Sequence, residues 1–248
     1  MKFEEIDKSD LVIKTTKQSI DDFLDVPKPF PQKASVYLIS APMGAGKSSF
    51  IHSIMTAKKQ AKVFQGIFSE VHYVTPKEVF DSEENHPFKD HCPSRLHHDL
   101  TQKTFDKIIE DALRVKADGE TSCLIIDDFS EQLKIKAVEL NLKRLIFKHR
   151  HMKLNIIIST LALKSLPKTL RSLLDVVILF KPKSINEIDG FSEEIFGLNT
   201  KEAKASRNPK SELPDKKFRD ITGISTIIKQ LMKRSKVPVC SKNPEPVM

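Results

Sequence analysis

Ser35-Val36-Tyr37-Leu38-Ile39-Ser40 runs straight into Ala41-Pro42-Met43-Gly44-Ala45-Gly46-Lys47-Ser48-Ser49, and apolar residues then recur at Phe50, Ile51, Ile54 and Met55. The first six residues are a short apolar, partly β-branched run, and the later positions have helical spacing, so the stretch reads strand, loop, helix. A loop that binds phosphates needs small residues so that backbone N–H groups can converge on the anion, a lysine to reach the β and γ phosphates, and a hydroxyl for magnesium. Gly44 and Gly46 permit the tight loop, Lys47 is the cation, expected to be exposed, and Ser48 is the metal-binding hydroxyl. The strict pattern has Gly where this chain has Ala41, a substitution that is tolerable if the position keeps φ below zero. The nine residues Ala41, Pro42, Met43, Gly44, Ala45, Gly46, Lys47, Ser48 and Ser49 are therefore the candidate binding residues for ATP, or a relative, with Mg2+.

Such a site needs a second half, an acid at the end of a different strand to hold the metal and a neighbour to orient the attacking water. Leu124-Ile125-Ile126-Asp127-Asp128 has that form. Asp127, first after the apolar run, is the candidate magnesium partner, and Asp128 the candidate general base, with a reach one methylene shorter than that of Glu.

Working outward, Val71-His72-Tyr73-Val74-Thr75 predicts a second strand closed by Pro76, and residues 81–98, rich in Pro, His and charge, read as a long surface loop. Phe105, Ile108, Ile109, Ala112 and Leu113 fit one helical face that Asp118-Gly119-Glu120 ends, and a further helix is expected over 140–148. Asn155-Ile156-Ile157-Ile158-Ser159-Thr160 and Val176-Val177-Ile178-Leu179-Phe180 are apolar runs of the kind found in strands covered on both faces. Alternating strands and helices imply an α/β fold with a mostly parallel central sheet flanked by helices. Pro27, Pro29 and Pro31 around Phe30 suggest an extended lead-in, placing the start of the core near Ala34. The expected organisation is a lead-in over 1–33, a nucleotide-binding domain over 34–197 and a basic arm over 198–248, with a short amphipathic helix within 221–232.

The order of phosphate loop, Ile-Ile-Asp-Asp, then Lys148-His149-Arg150-His151, then Asn155 to Thr160, then Leu166-Pro167 and Arg171 resembles the viral DNA-packaging ATPases of poxvirus type, within the FtsK/HerA superfamily of P-loop NTPases. The similarity spans roughly residues 36–194. It implies a RecA/FtsK-like fold and an ATPase that assembles as a homo-oligomeric ring and drives double-stranded DNA into a capsid, with a capsid vertex as partner and a virion or host-cell assembly site as location. It also implies that Thr160 is the polar strand end that senses the γ-phosphate, and that Arg150, or failing that Arg171, stabilises the transferred phosphoryl group of a neighbouring subunit. The family usually has Gln after that polar position; here Leu161 follows, leaving Thr160 or Ser159 to do the sensing. From the residues alone, a cellular or plasmid-borne DNA pump, or a nucleotide-controlled scaffold with negligible turnover, remains open.

Composition agrees with a partner of negative charge. The 248 residues carry a formal charge of +8, and 201–248 contains 12 Lys and Arg against 5 Asp and Glu, so the arm holds nearly all the excess. Such an arm could track duplex DNA, be a solubilising end or act as a localisation signal; without Trp and with only two Tyr, stacking on single strands is poorly provided for. No run is long and apolar enough for a membrane span and Met1-Lys2-Phe3-Glu4-Glu5 is not a signal peptide, so no membrane partner and an intracellular location are expected. Cys92, Cys123 and Cys240 are odd in number and far apart, and read as reduced thiols. His86, His91, Cys92, His97 and His98 lack the pairwise spacing of a zinc site and read as a solvated loop.

Overall fold

The computed structural model describes residues 24–56, 63–82, 84, 86, 88–180 and 190. Six strands, β1 (Val36–Ser40), β2 (Glu70–Val74), β3 (Leu96–His97), β4 (Ser122–Ile126), β5 (Leu154–Thr160) and β6 (Val176–Leu179), form one sheet in the order β3-β2-β4-β5-β1-β6. Every pairing is parallel. β1, β4 and β5 are buried at every residue, as their predominantly apolar sequences lead one to expect when both faces are covered.

Alternate side chains go to opposite faces. Val36, Leu38, Leu124, Ile126, Ile156 and Ile158 pack with Phe105 and Ile108 of α3 (Gln102–Ala117) and with Leu142 and Leu145 of α4 (Lys136–Lys148). On the other face Tyr37, Ile39, Cys123, Ile125 and Ile157 share a core with Phe50, Ile51 and Ile54 of α1 (Lys47–Thr56). Thr101 caps α3 by accepting the Thr104 N–H at 3.3 Å, and Gly119, at φ 81°, turns the chain out of the helix. Two short helices, α2 (Lys77–Ser82) and α5 (Lys168–Arg171), follow β2 and β5.

Three expectations are corrected. The core begins before Ala34: Leu24, Val26 and Phe30 are buried, with Phe30 against Tyr37 and Phe64, because prolines forbid a helix without forbidding burial. Among the described residues of 81–98 the stretch is only in part a solvated loop: Phe88 and His86 are buried, and Leu96–His97 pairs with Tyr73 and Val74 as the sheet edge. Isolated aromatic contacts rather than a periodic face hold this segment. Helix α4 starts at Lys136 rather than 140, since most of its first turn faces solvent and shows no apolar period. The basic arm and the helix expected at 221–232 lie outside the described residues. Among the described residues no helix is long and apolar enough to cross a membrane.

Candidate phosphate and metal site

Between β1 and α1 the chain forms a tight loop at the C-terminal edge of the sheet. The Ala41 N–H donates to Thr160 O at 3.1 Å, tying the loop's first residue to the end of β5. Gly44 and Gly46 sit at φ 72° and 86°, where a Cβ would be strained, while Ala41 is not among the positive-φ residues and keeps ordinary backbone. Helix α1 begins at Lys47, so its free N–H groups open onto the loop. Lys47 is not the exposed cation expected: it is 8% exposed, and Nζ donates to Ala41 O at 3.2 Å. One carbonyl among the described residues for an ammonium with three donors leaves a buried positive charge facing the loop, the complement of a phosphate.

Asp127 lies at the end of β4 and is 2% exposed. One strand, β5, intervenes between β4 and β1, so a residue at its end can reach both halves of the site. Oδ2 of Asp127 accepts from Ser48 Oγ at 2.7 Å and from Tyr73 Oη at 2.9 Å, and Oδ1 accepts from Ser159 Oγ. The carboxylate thus receives hydroxyls from the phosphate-loop helix and from the strands on either side of its own. Asp128 follows at φ 62°, a left-handed conformation that Asp tolerates better than most residues, and its N–H donates to Ser159 Oγ at 3.3 Å. Its side chain is half-buried beside Asp127. Carboxylate and hydroxyl oxygens are hard donors, which suits magnesium, and Ser48 with Asp127 would hold it while the loop N–H groups and Lys47 held phosphates.

The remaining expected residues are placed differently. Thr160 is fully buried and adjoins the phosphate loop through its carbonyl, while its hydroxyl donates to Ala162 O at 3.1 Å. Of the polar pair at the end of β5, it is the Ser159 hydroxyl that engages Asp127. Arg150 donates to Asp175 Oδ1 at 2.8 Å, and Oδ2 of the same carboxylate accepts the Val36 N–H. That is the N-terminal edge of the sheet, about 13 Å of strand from Ser40 at ~3.3 Å per residue, so Arg150 does not join its own phosphate loop. Arg171 donates to Leu166 O in the turn before α5. Tyr73 was missed, and no local pattern around it signals a contact with Asp127.

Among the histidines, His72 is fully buried and His97 stacks on it, with His72 Nδ1 3.1 Å from His97 Nε2. Burial first, and His97 second, push the His72 pKa down to about 4. Glu70, His72 and Asp111 bring potential ligand atoms together, but Glu70 is already paired with Arg95 and Arg114, so a metal ion would compete with two guanidiniums. Cys123 is buried in β4, and burial pushes its thiol pKa up, away from thiolate chemistry.

No protein-family model and no curated protein matches the chain. Among solved structures it is similar to B204, the DNA-packaging ATPase of Sulfolobus turreted icosahedral virus, with a TM-score of 0.50 and 18% identity over 73% of this chain and 89% of that one. B204 of Sulfolobus turreted icosahedral virus 2, a genome-packaging NTPase solved in complex with ATP-γS, gives 0.46 and 19% over 73% and 88%. The fold of this chain is that of the P-loop NTPases, as its sequence leads one to expect.

Proposed function

We propose that the chain is a magnesium-dependent ATPase that turns hydrolysis into movement of double-stranded DNA, working as a homo-oligomeric ring and packaging a viral genome at a capsid vertex. The observation that carries the ATPase reading is the meeting of Lys47 and Ser48 with Asp127 across β5, in a loop whose glycines take the backbone that phosphate binding needs. The coupling to DNA is supported by the formal charge of +8, by the order of motifs that resembles the poxvirus-type packaging ATPases of the FtsK/HerA superfamily, and by the likeness to a fold used for DNA packaging.

In this reading each side chain has one task. Lys47 reaches the β and γ phosphates, and the loop N–H groups hold their oxygens. Ser48 and Asp127 would hold the magnesium ion. Magnesium bound there would draw charge from the transferred phosphoryl group. Asp128 accepts a proton from the attacking water at its carboxylate. Ser159 holds Asp127 and Asp128 in register, and Arg150 serves the phosphates of the adjacent subunit.

The test measures ATP turnover with magnesium, with and without duplex DNA, for the full chain and for Lys47→Ala. Turnover that duplex DNA stimulates and Lys47→Ala abolishes is expected. Turnover unchanged by Lys47→Ala would refute the site, and turnover indifferent to duplex DNA would refute the motor.

A further inference from the structure

Beside Asp127, on the flank of β2, lies a buried chain of donors. Tyr73 of β2 is fully buried, and its hydroxyl donates to Asp127 Oδ2 at 2.9 Å. His86, 4% exposed, places Nε2 3.3 Å from Tyr73 Oη, and its Nδ1 accepts the Phe88 N–H at 3.1 Å. An amide N–H can only donate, so Nδ1 carries the lone pair and the ring proton sits on Nε2. His86 Nε2–H therefore donates to Tyr73 Oη, which leaves the tyrosine proton for Asp127. Three bonds run in one direction, from Phe88 N–H through His86 and Tyr73 to Asp127, and each polarises the next.

Packing fixes the same arrangement. The Tyr73 ring stacks on Phe88 with centroids 4.1 Å apart and planes at 16°, and Phe88 meets His52 of α1 edge-on at 5.8 Å. The tyrosine is thus clamped between its strand and the helix that carries Lys47 and Ser48. Were Ser48 engaged by a metal instead, the carboxylate would still have a donor on each oxygen, Tyr73 on Oδ2 and Ser159 on Oδ1.

We propose that Tyr73, with its hydroxyl set by His86, is a positioning residue that fixes the Asp127 carboxylate for magnesium. The inference rests on the magnesium–ATPase reading above. The Tyr73 hydroxyl acts on Asp127, the residue that would hold the metal, so its loss should leave metal-free phosphate binding as it is.

The experiment uses the full chain and a fluorescent, non-hydrolysable ATP analogue, with binding measured in EDTA and across a magnesium titration. Tyr73→Phe, which keeps the ring and its stack, is expected to bind the analogue normally in EDTA and to need about tenfold more magnesium for half-saturation, the lower end of what a hydrogen bond to a charged acceptor is worth. His86→Leu, which leaves the tyrosine hydroxyl but removes the group orienting it, is expected to shift the same midpoint by about threefold. An unchanged magnesium midpoint in Tyr73→Phe overturns the proposal, as does an equal loss of binding with and without magnesium, which would make the role structural. A wild-type chain that binds no analogue even with magnesium would instead remove the ATPase reading, and this inference with it.

Discussion

Asp127 offers the sharpest perturbation, because stability and function should separate between two substitutions. In Asp127→Asn the amide oxygen can accept from Ser48 and Tyr73, and the amide nitrogen can donate to Ser159 Oγ, which can turn its own proton elsewhere. Each of the three bonds loses its charge assistance, about 1 kcal/mol apiece, and the sum of ~3 kcal/mol is offset by no longer burying a carboxylate, so the net change should stay within about 2 kcal/mol. In Asp127→Ala the buried hydroxyls of Tyr73 and Ser159 lose their acceptor, while half-buried Ser48 can turn to water. Removing an acceptor that two buried hydroxyls share costs about 2–6 kcal/mol for the pair. Both variants shed the buried charge, so that contribution cancels between them, and the lost acceptor alone should put the Ala variant below the Asn variant by at least about 2 kcal/mol, or roughly 4–8 °C in a domain of this size. Urea titration followed by circular dichroism measures the gap, and nucleotide-analogue binding with and without magnesium measures function; both variants should lose the magnesium-dependent part. Equal stability of Ala and Asn would refute the hydroxyl network, and wild-type magnesium dependence in Asp127→Asn would refute the metal assignment.

Arg150 separates in the opposite way. Its pair with Asp175 is half-exposed, so Arg150→Ala should cost about 1 kcal/mol or less in stability, whereas loss of an arginine acting on the neighbouring subunit should cost roughly 10³ to 10⁵ in rate; mixing Arg150→Ala with Lys47→Ala subunits should then restore part of the ATPase activity, and no recovery in demonstrated mixed rings would end that role. His72 carries the acid response. With its pKa held near 4 in the fold against about 6.5 unfolded, the unfolded chain binds the extra proton between those values, so stability is intact above pH 6.5 and falls by about 3 kcal/mol as the pH drops through 4. Urea midpoints across that window should fall less steeply for His72→Gln, and parallel curves would show that the other buried histidines dominate.

What could be read in the sequence was whatever depends on residue type at fixed spacing. A strand, a glycine loop and a helix in order mark the segment from β1 to α1, and the mainly apolar runs of β1, β4 and β5 follow from burial on both faces, so these elements were legible. The partners of Asp127 were not, because they are decided by strand order. Tyr73 and Ser159 reach the carboxylate only because β2 and β5 flank β4, an adjacency that no local pattern encodes. The burial of Lys47, and of Leu24, Val26 and Phe30, is likewise a product of what packs over them, and the prolines of the lead-in report on backbone alone.

The same topology disciplines the reading of Arg150. In a parallel sheet every crossover helix must return the chain to the N-terminal edge before the next strand begins, whereas the phosphate loop and both acids leave strands at the C-terminal edge. Arg150 stands after α4 and just before Leu154, the first residue of β5, so its placement on the far edge follows from connectivity, and its pair with Asp175 at the start of β6 and Val36 at the start of β1 is the consequence. An arginine so placed has one structural task within its own subunit, binding the edge of the sheet together. Any phosphate it serves must belong to another molecule, which is why its catalytic role and the ring stand or fall in one experiment.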